Sequence, residues 1–147
     1  MQMKTKREII GAVEKIHFPE FQLRNIPAKI DTGADLSVLH CIDMHEVKTW
    51  HKWILCFTLV DKKNHTGKEL QFSNYERVKI RNSFGQSEKR YKVKTLIKIG
   101  SKNIRASFSL TDRSAMKYPV LLGTNLIRGR FLVDVSKKFL YSKPKRK

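Results

Sequence analysis

Short apolar segments with a period of two residues run through most of this sequence and constrain its fold more than any other feature. One of them alternates lysines with the apolar or β-branched residues Val93, Thr95, Ile97 and Ile99, with Leu96 as the one apolar exception on the charged face. Such alternation is typical of a β-strand that places one face in the core and a charged face in solvent. The sequence therefore predicts an all-β fold.

Ten segments are predicted as strands because they are short, rich in β-branched and aromatic residues, and bounded by turn-forming residues. They cover residues 9–18, 21–30, 53–60, 69–72, 75–80, 91–99, 104–110, 120–122, 131–135 and 139–141. One short helix is predicted at residues 125–128, ended by Gly129. Many short strands separated by turns favour a closed or sandwich-like β architecture.

The length of 147 residues fits one domain. We place this domain at residues 1–142, followed by a basic tail at 143–147.

The charge balance is strongly positive, and it restricts the classes of partner. The chain has 31 lysines and arginines against 13 aspartates and glutamates, a formal net charge of +18. This charge suits nucleic acid, an anionic membrane surface or an acidic polypeptide. On composition alone nucleic acid is the leading partner class.

Cysteine use and hydropathy predict a protein of the cytoplasm. Only Cys41 and Cys56 occur, each in or beside an apolar run, which favours two buried free thiols in a reducing compartment. No apolar stretch follows the basic N-terminus as a secretory leader would require, and no run approaches the roughly 20 apolar residues of a membrane span. We expect a cytoplasmic location and no membrane partner.

The candidate chemistry begins at Asp31, which comes directly after an apolar strand and is followed by Thr32 and Gly33. Asp-Thr-Gly alone is a weak signal, because aspartate and glycine are ordinary turn formers. A second segment, Leu122-Gly123 preceded by another leucine, lies about ninety residues downstream. An aspartic peptidase needs both features: a carboxylate on a glycine-containing turn, and an apolar strand ending in glycine that supports this turn. We expect the Thr32 hydroxyl to bond to neighbouring backbone.

These residues resemble the active-site turn of the retropepsin-like aspartic peptidases. The chain is most similar to the RimK-associated branch, often labelled "ATP-dependent zinc protease", which includes RimB-type proteins. The matching segments occur in one order between about residues 9 and 141, and the clearest are residues 28–34, 37–40, 77–79, 88–91, 110–113, 121–123 and 129–134. The resemblance implies a closed retropepsin-like acid-protease barrel with one short helix.

The resemblance also implies a catalytic mechanism. Aspartic peptidases use two carboxylates that share one proton, one acting as base on water and the other donating to the substrate carbonyl. This chain has one Asp-Thr-Gly, so the pair must form across a homodimer two-fold axis, with Asp31 from each subunit. Thr32 and Gly33 would hold the turn, and Leu122 and Gly123 would support it. The alternative is a non-catalytic basic β-barrel that binds RNA, a ribosome or an acidic protein, with Asp31 serving only to cap a turn.

For substrate, the resemblance implies a glutamate-rich peptide or a polyglutamylated protein tail, because RimK-type ligases add glutamates to proteins. It also implies a RimK-type ligase as a partner and makes nucleic acid the less favoured one. We assign substrate binding to Ala34 and Asp35 beside the turn, and to Arg81, Arg90 and Arg113, since arginine binds carboxylates bidentately. The alternative for each arginine is a solvated charge on an outer face. A further alternative is an orthodox retropepsin that cleaves apolar peptides.

Two positions depart from the pattern of this branch. Asp35 follows Ala34, and Thr124 follows Gly123, where relatives tend to have arginine. Retroviral-type retropepsins pair an aspartate at the first position with an arginine at the second. Asp35 therefore needs another partner or projects its charge into the cleft, and the dimer contacts depend on which.

No metal or cofactor is predicted, despite the zinc in the branch label. The five histidines include no His-Glu-x-x-His pair, and His40, Cys41 and His45 do not make a closed set of four ligands. The sequence also lacks a phosphate-binding loop of the Gly-x4-Gly-Lys-Ser/Thr kind, so direct use of ATP is not supported.

Overall fold

The computed structural model describes residues 7–61, 66–81, 84–112 and 115–141. Within them the chain is mostly β-strand, with one four-residue α-helix, α1 (Thr124–Ile127), and one turn of 3-10 helix at Pro19–Phe21. The strands in chain order are β1 (Glu8–Ile10), β2 (Val13–Phe18), β3 (Leu23–Ile30), β4 (Ser37–His40), β5 (Ile42–Lys48), β6 (Trp53–Asp61), β7 (Thr66–Phe72), β8 (Glu76–Arg81), β9 (Ser87–Ile99), β10 (Lys102–Thr111), β11 (Val120–Leu122) and β12 (Phe131–Val133).

Six strands form a closed barrel, which confirms the predicted architecture. They pair in the order β10–β4–β11–β3–β2–β9, and β9 pairs with β10 to close the ring. Most neighbours are antiparallel, but β11 runs parallel to β3 and β4 runs parallel to β10. Because β11 lies between β3 and β4, it joins the strand before Asp31 to the strand after it.

The barrel interior contains the apolar half of each alternating strand. On β9 the side chains of Val93, Ile97 and Ile99 are buried while the intervening lysines at positions 94 and 98 are exposed. Phe108 of β10 meets the ring of Phe18 edge-on, at 5.6 Å between ring centroids. Burial of this apolar face is the main force that holds the strands together.

Three additions surround the barrel. An antiparallel sheet is formed by β5, β6 and β7, β8 extends the barrel sheet by pairing with β9, and β1 pairs in parallel with β12. The hairpin of β8 and β9 therefore continues beyond the barrel wall.

Several predicted boundaries change. Residues 9–18 form two strands, because the chain leaves β12 after Ile10 and pairs with β3 from Val13 onward. Residues 139–141 are not a strand, while β4 and β5 were not predicted. The helix lies one residue earlier than predicted, and Gly129 follows it with a φ of 78°. Both cysteines are buried and free, as expected. The basic tail at residues 143–147 lies outside the described residues.

In the described part of the chain, no helix has the length and apolar character needed to cross a membrane.

Candidate active site

The turn that carries Asp31 begins where β3 ends. The Asp31 backbone N–H donates to the carbonyl of Leu122 at 2.9 Å, which continues the pairing of β3 with β11. One carboxylate oxygen, Oδ1, accepts a hydrogen bond from the Gly33 N–H at 3.0 Å, and the Asp31 carbonyl accepts one from the Ala34 N–H at 3.3 Å. The Asp31 carboxylate is thus oriented by the backbone of its own turn and is half-buried at the barrel end.

The two residues after Asp31 serve the turn differently from expectation. Thr32 is exposed, and no hydrogen bond from its hydroxyl occurs within the described residues, so the expected bond to neighbouring backbone is not formed. Gly33 contributes its N–H, and a Cβ at this position would lie 3.4 Å from Asp31 Oδ1. Glycine therefore leaves the face of the carboxylate open.

Gly123 packs directly beneath the turn. A Cβ at this position would lie 2.8 Å from the Ala34 carbonyl oxygen and 2.9 Å from the carbonyl carbon of Leu36. The next two residues add hydrogen bonds: the N–H of Thr124 donates to the Ala34 carbonyl at 2.8 Å, and the N–H of Asn125 donates to the Asp35 carbonyl at 3.2 Å. The start of α1 is thus fastened to the far side of the Asp31 turn.

A polar network, buried at Ser37 and Gly123, links the two halves of this arrangement and was not found by sequence reasoning. The Ser37 hydroxyl accepts from the Gly123 N–H at 2.9 Å and donates to Asn125 Oδ1 at 2.9 Å. The Asn125 amide also accepts from the Ser37 N–H and donates to the Ser107 carbonyl, both at 3.0 Å. The only signal in the sequence was a small hydroxyl at the start of the apolar segment 37–39.

Comparison with known proteins identifies the family to which this chain belongs. Residues 9–144 match the family described as RimB-like, retropepsin-like aspartic endopeptidase RimB. The chain belongs to the RimB-like family. This confirms the resemblance drawn from the Asp31 turn and the segment that ends at Gly123.

Similar proteins include both longer chains and one of similar size. The chain is 31% identical over 139 residues to a probable alpha-L-glutamate ligase of Shewanella pealeana, and 28% identical over 138 residues to one of Desulfotalea psychrophila. These matches cover 93% and 91% of the chain but only 30% and 29% of the relatives, so the chain spans less than a third of their length. A crystal structure of a Legionella pneumophila protein of unknown function has a TM-score of 0.76 and 30% identity, covering 93% of this chain and all of that one.

Asp35 is one of the two positions at which this RimB-like chain differs from the pattern of its branch. It has no ion-pair partner among the residues that the structure describes. Its exposed side chain lines a shallow cavity of about 390 Å³ together with Thr124, Asn125 and Arg128. Arg128 is the basic residue of this cavity, four positions after Thr124. The carbonyl oxygen of Ala34 lies against Gly123 and accepts the N–H of Thr124.

Two of the predicted arginines, Arg81 and Arg90, do not share one face of the hairpin. In the hairpin, Arg81 lies opposite Ser87, and Arg90 lies opposite Val78. Successive residues of a strand point to opposite faces, so Arg81 lies on one face of the hairpin and Arg90 on the other. Arg90 also pairs with Glu88 at 3.2 Å. Arg113 lies outside the described residues.

The hairpin is attached to the small sheet by one carboxylate. Glu46 of β5 accepts hydrogen bonds from the hydroxyls of Tyr75 and Tyr91 and from the guanidinium of Arg77. Chiefly through the bond from Arg77, with further help from both tyrosines, the pKa of Glu46 falls to about 2 despite the opposing effect of burial. This cluster fixes the base of the hairpin.

The described residues do not fit a zinc site. No three His, Cys, Asp or Glu side chains group there in a way that could hold a metal ion. His17 Nδ1 accepts from the Asn25 N–H, and the buried His40 lies with Nδ1 3.8 Å from Asp112 Oδ1. Burial, with the nearby Asp112 charge adding to it, raises the pKa of Cys41 to about 12, which keeps this thiol protonated at neutral pH.

Proposed function

We propose that this chain is an aspartic endopeptidase that acts as a homodimer, with Asp31 of each subunit forming the catalytic pair. Membership of the RimB-like family supports the class of reaction. The single observation that carries the proposal is the geometry of the turn, in which Asp31 Oδ1 accepts the Gly33 N–H while Gly123 packs against the other side. A residue that only capped a turn would not need this second layer of support.

The chemistry needs two carboxylates with one proton between them. The ionised Asp31 removes a proton from water, whose oxygen attacks the scissile carbonyl carbon, while the protonated Asp31 of the other subunit donates to the carbonyl oxygen. Collapse of the tetrahedral intermediate breaks the C–N bond, and the amine leaves with the proton taken from water. As the C=O bond re-forms, a hydroxyl proton of the intermediate returns to the carboxylate that donated one, which restores the starting pair. Like charges this close cannot both ionise, and this keeps one carboxyl protonated.

A homodimer follows from the number of catalytic turns. The sequence contains one Asp-Thr-Gly, and neither Asp112 nor Asp134 is followed by such a turn. A two-fold axis near Asp31 would bring two copies of the turn together. The exposed Thr32, which has no hydroxyl partner within the described residues, is available to the other subunit.

Glutamate-rich peptides or polyglutamylated protein tails are the proposed substrates. The net charge of +18 attracts acidic chains. Relatives that share this segment are named probable alpha-L-glutamate ligases. A peptidase with this substrate would trim what such a ligase adds, so we propose a RimK-type ligase as its functional partner. The Asp31 turn, the binding roles of Ala34, Asp35, Arg81, Arg90 and Arg113, and the cytoplasmic location are parts of this proposal.

The test is to incubate the purified chain with poly-α-glutamate and with a mixed peptide library, and to identify cleaved bonds by mass spectrometry. We expect internal cleavage of the glutamate chains, with a specific rate that falls on dilution as dimers dissociate. Cleavage of apolar library members alone would retain the mechanism and reject the substrate. A specific rate that stays constant on dilution, with a monomer in sedimentation analysis, would reject the dimer.

A further inference from the structure

A cavity of about 560 Å³ lies on the barrel at the end of β3 that is farther from Asp31. Pro27 is the lining residue nearest to Asp31 along this strand, and Asp31 follows it four positions later, a distance of about 13 Å in an extended strand. Strands β2, β3, β4 and β6 contribute to the walls, together with the segment before β11. The volume is within the range of small-molecule sites. The cavity is therefore distinct from the proposed catalytic turn.

The floor of this cavity is mostly apolar, and the one buried polar side chain among its lining residues is His40. Three of its lining side chains, Phe18, Leu39 and Leu59, belong to the buried core and form its floor. The remaining apolar lining residues are partly buried and are Leu23, Ile26, Pro27, Val60 and Pro119. A ligand in contact with this floor must be apolar there, because an unpaired charge or polar group would lose its hydration without compensation.

The rim of the cavity is basic. Lys15, Arg24 and Lys117 are exposed lining residues, and none of the three has a carboxylate partner within the described ranges. Lys15 faces the ring of Phe139 at 5.5 Å, and Lys117 faces the ring of Tyr118 at 5.4 Å. None of the lining residues is acidic. Charges of one sign around a cavity with apolar walls focus a positive potential on its mouth.

Asp112 is not a lining residue of the cavity, and its carboxylate lies beside the buried His40. Its Oδ1 lies 3.8 Å from His40 Nδ1. At the lip of the cavity the backbone of Asn25 has a φ of 57°, and its N–H is held by His17 Nδ1 at 3.1 Å. Left-handed backbone at a non-glycine residue costs free energy and is often found at ligand sites.

We propose that this cavity binds a small amphiphilic monocarboxylate, with its apolar body on Phe18, Leu39 and Leu59 and its carboxylate between Arg24 and Lys117. A glutamate-rich peptide fits less well, because it carries a charge on every residue and the floor offers none of them a partner. The guanidinium of Arg24 supplies a bidentate donor for a carboxylate. This site is independent of the peptidase activity proposed above.

Calorimetric titration of the whole chain with decanoate tests the proposal, with decan-1-ol as the uncharged probe of equal length and glutarate as the anion without an apolar body. We expect decanoate to bind about tenfold more tightly than decan-1-ol, as one ion pair in a partly dry site would give, and glutarate not to bind. The double variant Arg24→Gln/Lys117→Gln should lose about the same factor. The matched control Lys79→Gln/Lys89→Gln removes two exposed lysines of the hairpin and should bind like the parent.

Two further measurements make the result decisive. Ile26→Trp fills the cavity from one wall and should abolish decanoate binding, with the fold checked by circular dichroism. Amide NMR shifts on titration should concentrate at Asn25, Ile26 and Lys117, and should be the same in Asp31→Asn, which separates this site from the peptidase proposal. Absence of decanoate binding, equal affinity for decan-1-ol, or tighter binding of a glutamate peptide at these amides would overturn the proposal.

Discussion

The backbone of Gly123 lies against the carbonyl of Ala34. A Cβ on Gly123 would come within 2.8 Å of that oxygen, and the adjoining N–H of Thr124 donates to the same oxygen at 2.8 Å. Two segments almost ninety residues apart in the chain thus meet at one carbonyl oxygen. The Asp31 turn lies on one side of this contact and α1 on the other, so the position of the turn depends on a glycine outside the turn.

Gly123→Ala should therefore damage the turn. The new methyl group would meet backbone atoms of Ala34 and Leu36 that cannot rotate away. We expect a loss of about 1–3 kcal/mol in the free energy of unfolding and a fall in kcat on the order of 10²-fold from displacement of Asp31. Urea unfolding and cleavage of poly-α-glutamate measure the two effects.

Gly129→Ala is the matched control. Its Cβ would meet nothing within 4 Å, but its φ of 78° disfavours a side chain. This variant should lose about 1 kcal/mol of stability while keeping kcat. Equal losses of activity in the two variants would show that the contact with Ala34 is not special.

Ser37→Ala tests the buried network beneath the turn. The change leaves the Gly123 N–H without its acceptor and removes one donor to Asn125. A buried N–H without a partner costs about 1–3 kcal/mol, and we expect the cleavage rate to fall with it. Ser37→Thr keeps the hydroxyl and should recover most of both losses. If Ser37→Thr and Ser37→Ala lost equal stability and activity, a packing defect rather than the loss of hydrogen bonds would be responsible.

The sequence predicted the structural features that depend on a local pattern of residues. Alternation along β9 identified a barrel strand, and Asp31 and Gly123 each stood out by their neighbours. Strand β4 was missed because all four of its residues are buried, which removes the alternation. The Ser37–Asn125 contact joins residues 88 positions apart, and the local sequence around each residue does not indicate the other as its partner. The faces of Arg81 and Arg90 depend on the register of the hairpin, which the turn length alone did not give.

Glu46 should make stability depend on acidic pH. Its pKa in the folded protein is about 2, against an ordinary value of 4.5. A carboxyl with a lowered folded pKa stabilises the fold above its unfolded pKa, and this contribution is lost as pH falls from about 4.5 toward 2. Glu46→Gln should lower the free energy of unfolding by about 2 kcal/mol at neutral pH. This difference in free energy between parent and variant should narrow as pH falls through this range. Thermal unfolding at a series of pH values measures it.

Glu88→Gln is the control for that series. Glu88 lies on the same hairpin, but its ion pair with Arg90 is on the surface, and such pairs contribute about 0–1 kcal/mol. The Glu88→Gln change should alter the free energy of unfolding little at every pH. If the difference in this free energy between the parent and Glu46→Gln stayed constant from pH 7 to pH 2, the charge of Glu46 would not contribute to stability.

Arg81 and Arg90 should differ as substrate-binding residues. Arg81 has no ion-pair partner among the described residues, whereas Arg90 pairs with Glu88 and lies on the other face. Arg81→Gln should raise KM for glutamate-rich peptides about five- to tenfold, with kcat retained, and Arg90→Gln should change KM less. Steady-state kinetics at two salt concentrations checks this, since the effect of Arg81 should shrink as salt screens the charge. Equal KM values for parent and both variants would remove these arginines from substrate binding.

The most direct test of the account is cleavage of poly-α-glutamate by Asp31→Asn beside Asp35→Asn. Asparagine at position 31 keeps an oxygen for the Gly33 N–H but cannot act as base, so the fold and the dimer should persist while cleavage is lost. Asp35→Asn removes an exposed carboxylate to which we assign substrate binding and not proton transfer. It should change KM but retain cleavage of the same bonds. Full activity in Asp31→Asn, or no cleavage by the parent from acid to neutral pH, would contradict the peptidase account and favour a basic barrel that only binds acidic partners or RNA.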